Sequence, residues 1–123
     1  MGQFLILFKT LTVLLPNRTC FTPDAPIQLA HPFETLASPD ALYTHALAPL
    51  QRAIPDLERR DYIVIEGVSK NTGRQWVGCA GYYTGRFFSP FLDIAPTGHQ
   101  VSMRFHEFYE IKDGKICEFQ ALW

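Results

Sequence analysis

One stretch of this 123-residue chain narrows its fold more than any other. Asp113-Gly114 stands between two runs, 101–111 and 115–123, in which apolar and polar side chains alternate. Such a dipeptide between alternating runs marks a β-hairpin. The register then decides which side chains share a face. A three-residue loop, Lys112-Asp113-Gly114 with Gly114 left-handed, sets Ile111 opposite Lys115. It also sets Glu107 opposite Phe119, Phe105 opposite Ala121 and Met103 opposite Trp123. One face then carries Met103, Phe105, Glu107, Tyr109, Cys117, Phe119, Ala121 and Trp123. The other carries Ser102, Arg104, His106, Phe108, Glu110, Ile116, Glu118, Gln120 and Leu122. A two-residue loop would pair Glu107 with Gln120 and mix the faces, so the sorting register is expected for a half-buried sheet. It sets a single acid, Glu107, among aromatic and thioether side chains. Low dielectric there disfavours the charged form of a carboxyl group, a setting that suits a general acid or base near neutral pH.

The rest of the composition mostly excludes. A chain of this length, 47% hydrophobic and 14% aromatic, supports one domain with one core. The formal net charge is -1, and no basic cluster exceeds Arg59-Arg60. Neither nucleic acid nor an anionic membrane is therefore an expected partner. Three cysteines without CxxC spacing argue against a disulfide framework or structural zinc and fit a reducing cytoplasm. The histidines at 31, 45, 99 and 106 lack metal-ligand spacing, so no metal and no cofactor is expected. Residues 4–15 are apolar apart from Lys9 and the threonines, and Pro16 ends the run. The run is too short to span a bilayer and lacks the basic start and small-x-small site of a signal peptide. A short packed element, a targeting segment and a start that is not native-like all stay open; the sequon Asn17-Arg18-Thr19 matters only in a secreted chain.

Along the chain, residues 16–37 are proline-rich and extended, with a short edge strand expected near 27–30. Ser38 and Pro39 read as N-cap and first helical residue. The helix should run to Ala53, burying Leu42, Ala46, Leu50 and Ile54 and kinking at Pro49. Strands follow at 61–69 and 74–86, with a turn at 71–73; Gly78, Gly81 and Gly85 permit strong curvature in the second strand. A loop at 87–98 leads into the hairpin. A helix followed by antiparallel strands makes this an α+β chain, with a curved sheet wrapped on helices.

Four segments taken together resemble the SnoaL-like proteins of the nuclear-transport-factor-2 (NTF2-like) superfamily. They are Ala53-Ile-Pro-Asp-Leu57, Gly81-Tyr-Tyr-Thr-Gly85, Ile94-Ala-Pro-Thr-Gly98 and Phe108-Tyr-Glu-Ile-Lys-Asp-Gly-Lys-Ile116. The resemblance covers residues 31–123 and leaves 1–30 as an atypical N-terminal segment. It implies an NTF2-like cone: a strongly curved antiparallel sheet wrapped on helices, an interior apolar pocket, and a homodimer formed through the outer face of the sheet. Members of the superfamily include polyketide cyclases, isomerases, dehydratases, epoxide hydrolases and non-catalytic binding modules. Where its cyclases carry a histidine and an aspartate on the hairpin, this chain has Glu107 and Ala121. Related ketosteroid isomerases carry an acid at the Glu107 position. Two helices normally cap the cone, and residues 1–30 are too short and proline-rich to supply both. The pocket is then open at that end or covered by the second subunit, and Trp123 could mark a premature end.

Two functional readings follow, with a truncated, inactive paralogue as a third. In the first the chain is a cofactor-free cyclase, isomerase or lyase acting on a small apolar carbonyl compound. Glu107 is then the acid/base, Tyr109 or Tyr83 the donor to the developing oxyanion, and His31 an accessory. Trp76, Tyr83, Met103, Phe105, Phe119, Ala121 and Trp123 would line the pocket. In the second reading it binds a hydrophobic ligand or dimerises without chemistry. Glu107 would then be a structural carboxylate paired with Arg104 or Arg86, and the aromatics would simply be core.

Overall fold

A computed structural model describes residues 20–123. The apolar run at 4–15 and the sequon lie outside the described residues. The Oγ of Ser38 accepts a hydrogen bond from the Ala41 amide at 3.2 Å, and Pro39 opens α1 (Pro39–Leu42). A π-helical turn (Tyr43–Leu47) follows, then α2 (Ala48–Ala53). The widened turn is the backbone's answer to Pro49, which has no amide to give: the Ala48 N–H reaches back to the Tyr43 carbonyl. Leu42, Ala46, Leu50 and Ile54 are all buried, as their spacing requires.

Six strands form one sheet in the order β2-β1-β6-β5-β4-β3. They are β1 (Ile27–Gln28), β2 (Thr35–Leu36), β3 (Glu58–Val68), β4 (Gln75–Arg86), β5 (Gln100–Lys112) and β6 (Lys115–Leu122). The long strands β3 to β6 pair antiparallel. The short strand near 27–30 is not an edge strand as expected: β1 lies between β2 and β6 and runs parallel to β6, so the sheet is mixed. Cys20, Phe21, Ala25, Ile27 and Leu29 belong to the core, and the Thr22 amide bonds the Ile116 carbonyl at 2.9 Å. The packed unit thus begins ahead of residue 31. β3 starts at Glu58 rather than Asp61.

The hairpin corrects the expected register. Its turn has two residues, Asp113 (φ 52) and Gly114 (φ 76), and pairs Lys112 with Lys115. Two left-handed residues in succession match the twist of the flanking strands. A bulge at Cys117 then moves the ladder on, so that Tyr109 faces Phe119 and Glu107 faces Ala121. Every expected partner beyond the bulge is off by two positions. An offset of two keeps the side-chain parity, so Phe105, Glu107, Tyr109, Phe119 and Ala121 still share the buried face. The face assignment changes only beside the bulge, where Ile116 is buried and Cys117 half-buried.

The opposite face is less covered. Ile65, Gly78, Phe108 and Gln120 form one row across four strands, and Ile63, Ala80, His106 and Leu122 the next. Of these, Ile63, Ile65, Phe108 and Leu122 are exposed.

Candidate functional site

The site starts from an irregularity in β3. The pairing slips between Asp61 and Ile63, leaving Tyr62 bulged out. Gly81 faces this bulge, where a Cβ would collide with the Arg60 carbonyl oxygen and lie 2.8 Å from the Phe105 ring. Only a residue without a side chain lets β3 approach β4 so closely. Arg59 and Asp61, opposite Tyr83 and Gly81, are thereby set on the inner face beside Glu107.

Arg59 Nη1 donates to Glu107 Oε2 at 2.6 Å, and both side chains are almost fully enclosed. The Tyr83 hydroxyl donates to Oε1 at 2.7 Å, and the Trp123 indole Nε1 donates to the same oxygen at 3.0 Å. The Tyr109 hydroxyl donates to Oε2. Arg59 Nη1 also reaches the hydroxyl oxygens of Tyr83 and Tyr109, at 3.1 and 3.4 Å. Its remaining nitrogens are held by Asp61 at 3.1 to 3.3 Å, and its guanidinium lies over the Phe105 ring at 4.3 Å. Among the described residues no buried side-chain nitrogen or oxygen lacks a partner. The arrangement is Asp61–Arg59–Glu107, with two phenols and an indole completing the coordination of the acid.

Electrostatics follow from this enclosure. Burial alone would lower the pKa of Arg59, but Tyr109, Glu107, Tyr83 and Asp61 more than reverse it and push it up. The phenols of Tyr83 and Tyr109 are held well above their ordinary range, first by burial and then by the charge of Glu107. They are therefore standing O–H donors. Cys79, opposite Glu107 on β4, has its thiol pushed up to about 12 by burial, which makes it a poor nucleophile.

Glu107, Tyr83, Tyr109 and Trp123 thus meet in one cluster. Phe105 stacks on Arg59, Phe119 packs on Tyr109 with ring centroids 5.0 Å apart, and Ala121 stands across from the acid. Met103 and His31 are not in this cluster. They line an adjoining cavity of about 250 Å³ with Leu29, Phe33, Phe91 and Trp123 among its walls. The His31 side chain is exposed and pairs with Glu34 at 3.7 Å, so it stands at the rim. Trp76 is misplaced by the sequence reading: it pairs with Glu110 on the opposite face of the sheet. The partner of Glu107 is Arg59, not Arg104, which bonds Tyr82, or Arg86, which bonds the Gly98 carbonyl. Arg59 and Asp61 are not among the sequence-predicted site residues: their i, i+2 spacing sets them on one face of β3 but does not say that this face is the inner one. Among the described residues no group of histidine, cysteine or acidic side chains is arranged to hold a metal ion, and no helix is long and apolar enough to cross a membrane.

Comparison with known proteins agrees with this architecture. AclR, a proposed hydroxylase of Streptomyces galilaeus, superposes with a TM-score of 0.75 at 17% identity, covering 98% of this chain and 84% of AclR. A proposed SnoaL-like polyketide cyclase from Jannaschia sp. CCS1 gives 0.74 at 20% identity, covering 98% and 81%. An NTF2-like protein of Burkholderia thailandensis gives 0.69 at 14% identity, covering 98% and 86%. At such identities the likeness establishes the fold. Among curated proteins none matches the chain in sequence. The family profile of SnoaL-like polyketide cyclases matches residues 19–123, nearly the whole chain. A six-stranded curved sheet over one helical segment, closed on a buried acid and matched along that length, belongs to the SnoaL-like polyketide cyclase family.

Proposed function

We propose that this protein is a cofactor-free enzyme that moves a proton on a compact, mostly apolar carbonyl compound. Glu107 carries the reading: an acid at the centre of the cone, held by Arg59 and two phenols, and joined through Trp123 to an apolar cavity. In the forward step Glu107 takes a proton from the carbon beside the carbonyl. The C–H electron pair moves onto the carbonyl oxygen, and where the substrate displaces the cavity-wall indole of Trp123, Tyr83 or Tyr109, each held as a protonated donor behind it, stabilises that oxyanion. Where the compound is β,γ-unsaturated, the proton then returns to the γ-carbon of the dienolate, which isomerises it. Alternatively the enolate carbon attacks a second carbonyl and the new alkoxide takes the proton back, which closes a ring. His31 at the rim is an accessory. The cavity lies a little below the roughly 300–1,000 Å³ usual for small-molecule sites, which fits a compact ligand.

Two features of the setting belong to the same proposal. The exposed rows of Ile63, Ile65, Phe108 and Leu122 support a homodimer formed through the outer face. The thiols of Cys79 and Cys117 fit the reducing cytoplasm.

The test is deuterium exchange at the α-carbon of 1-tetralone in D₂O, followed by proton NMR. Wild-type protein should accelerate exchange, and Glu107→Gln should lose about 10²-fold or more of that acceleration. Exchange that survives Glu107→Gln unchanged removes Glu107 from the chemistry. A second reading, a non-catalytic binder of apolar ligands, is favoured by Ala121 facing the acid and by the four donors already on Glu107. Tetralone that binds without any exchange would select it.

A further inference from the structure

The four donors to Glu107 are not equivalent. Arg59, Tyr83 and Tyr109 are buried and none of them walls the cavity. Trp123 alone belongs to both environments. Its Nε1–H bonds Oε1 of Glu107, while its ring walls the cavity and meets Phe33 and Tyr83 edge-on, with centroids 6.1 and 5.6 Å apart. It is half-buried and follows the last paired residue of β6, Leu122. Whatever enters the cavity and reaches the acid therefore arrives where the indole now stands.

That geometry restricts the chemistry of the ligand. Oε1 would keep the Tyr83 hydroxyl and lose the indole N–H. A buried carboxylate oxygen deprived of a donor is costly, and a donor that restores the bond recovers the difference. A hydrocarbon edge or a carbonyl oxygen supplies no donor. We propose that Trp123 is the exchangeable partner of Glu107, and that the ligand taking its place presents an O–H, either a hydroxyl or the enol of a 1,3-dicarbonyl compound, at the end of an apolar body. This rests on the proposed pocket reading and makes hydroxy ketones and enolised dicarbonyls its better substrates, with plain ketones the poorer ones. Trp123 is on this account the residue that sets specificity: it holds the acid satisfied when the cavity is empty and favours a ligand that can do the same.

Three compounds of one shape serve as probes: 1-tetralol, which carries an O–H; 1-tetralone, which only accepts; and tetralin, which does neither. The chain has two tryptophans, so Trp76→Phe, on the other face of the sheet, leaves Trp123 as the single indole reporter. Tetralol should bind about tenfold tighter than the other two, the effect of one hydrogen bond to a charged group. It should also raise the quenching of Trp123 emission by acrylamide. In Trp123→Phe, with binding followed by ligand NMR, tetralol should bind more tightly than to wild type because no indole bond is broken, and its preference should persist. In Glu107→Gln the preference should fall towards one. If all three compounds bind equally and Trp123 emission is unmoved, the cavity stands as an apolar pocket and the proposed exchange is overturned. If none of the three binds, the pocket reading itself fails and the exchange falls with it.

Discussion

Glu107 and Glu110 stand three positions apart on β5 and are nearly equally hidden, with 1% and 5% of their surface exposed. They lie on opposite faces of the sheet and are stabilised in opposite ways. The counter-ion of Glu107 comes from within the core, since the Arg59 side chain is itself only 2% exposed and is oriented by Asp61. Two phenols and an indole add hydrogen bonds to the same carboxylate. The counter-ion of Glu110 comes from solvent: Arg74, 61% exposed, reaches in at 3.3 Å. Burial alone therefore does not mark a site. What separates the two acids is whether their partners are fixed in place, because only fixed dipoles hold a charge without reorganising.

The contrast breaks most readily at Arg59. Removing one member of an enclosed ion pair leaves the other as an uncompensated buried charge. Arg59→Met should cost about 3–5 kcal/mol of stability, measured by urea denaturation. A loss near zero would mean that the cone tolerates Glu107 without its guanidinium, and the distinction between the two acids would collapse.

The phenols sharpen the same contrast through pH. Burial, then the charge of Glu107, holds Tyr83 and Tyr109 well above the ordinary phenol value of 10.0. Below about pH 10 neither the folded nor the unfolded phenols ionise, so stability from this source is intact. Above it the unfolded chain releases protons that the folded chain retains, and stability falls by up to about 1.4 kcal/mol per pH unit for each tyrosine. Cys79, raised from 9.0 to about 12, adds a decline that begins about one unit earlier. Urea midpoints taken from about pH 8 to about pH 11 should fall, and Tyr109→Phe should flatten the upper part of the slope. Phenolate absorbance from all five tyrosines while the protein remains folded would show that the cluster is open to water.

These features were unequally legible in the sequence. Period-two alternation identified the face on which Glu107 lies, and parity protected that assignment even though the turn length and every cross-strand partner were different. The bulge at Cys117 was invisible because no residue type announces it. Trp76 could have been excluded by the same parity: it stands seven positions from Tyr83 on one strand, an odd number, so the two cannot share a face of a regular strand. Arg59 was missed for a different reason. Charged residues at a strand start normally face water, and nothing local shows that Gly81, far along the chain, will draw that strand end inward. The cavity wall supplied by Phe33 and Phe91 comes from loops, which have no periodicity to reveal which way a side chain points.

The smallest effect belongs to the outer acid, and it completes the comparison. Arg74 is a long, mostly exposed side chain, so holding it against Glu110 costs rotamer freedom and gains little in high dielectric. Arg74→Ala should change stability by no more than about 1 kcal/mol, and a double-mutant cycle with Glu110→Gln should give a coupling of similar size. Added salt should shrink that coupling, because the exposed guanidinium is screened, and should leave the Arg59–Glu107 coupling almost unchanged. A coupling near that of the inner pair would mean that water does not stand in for Arg74. Glu110 would then be as fixed by its protein partners as Glu107, and the inner acid would lose the property that singles it out.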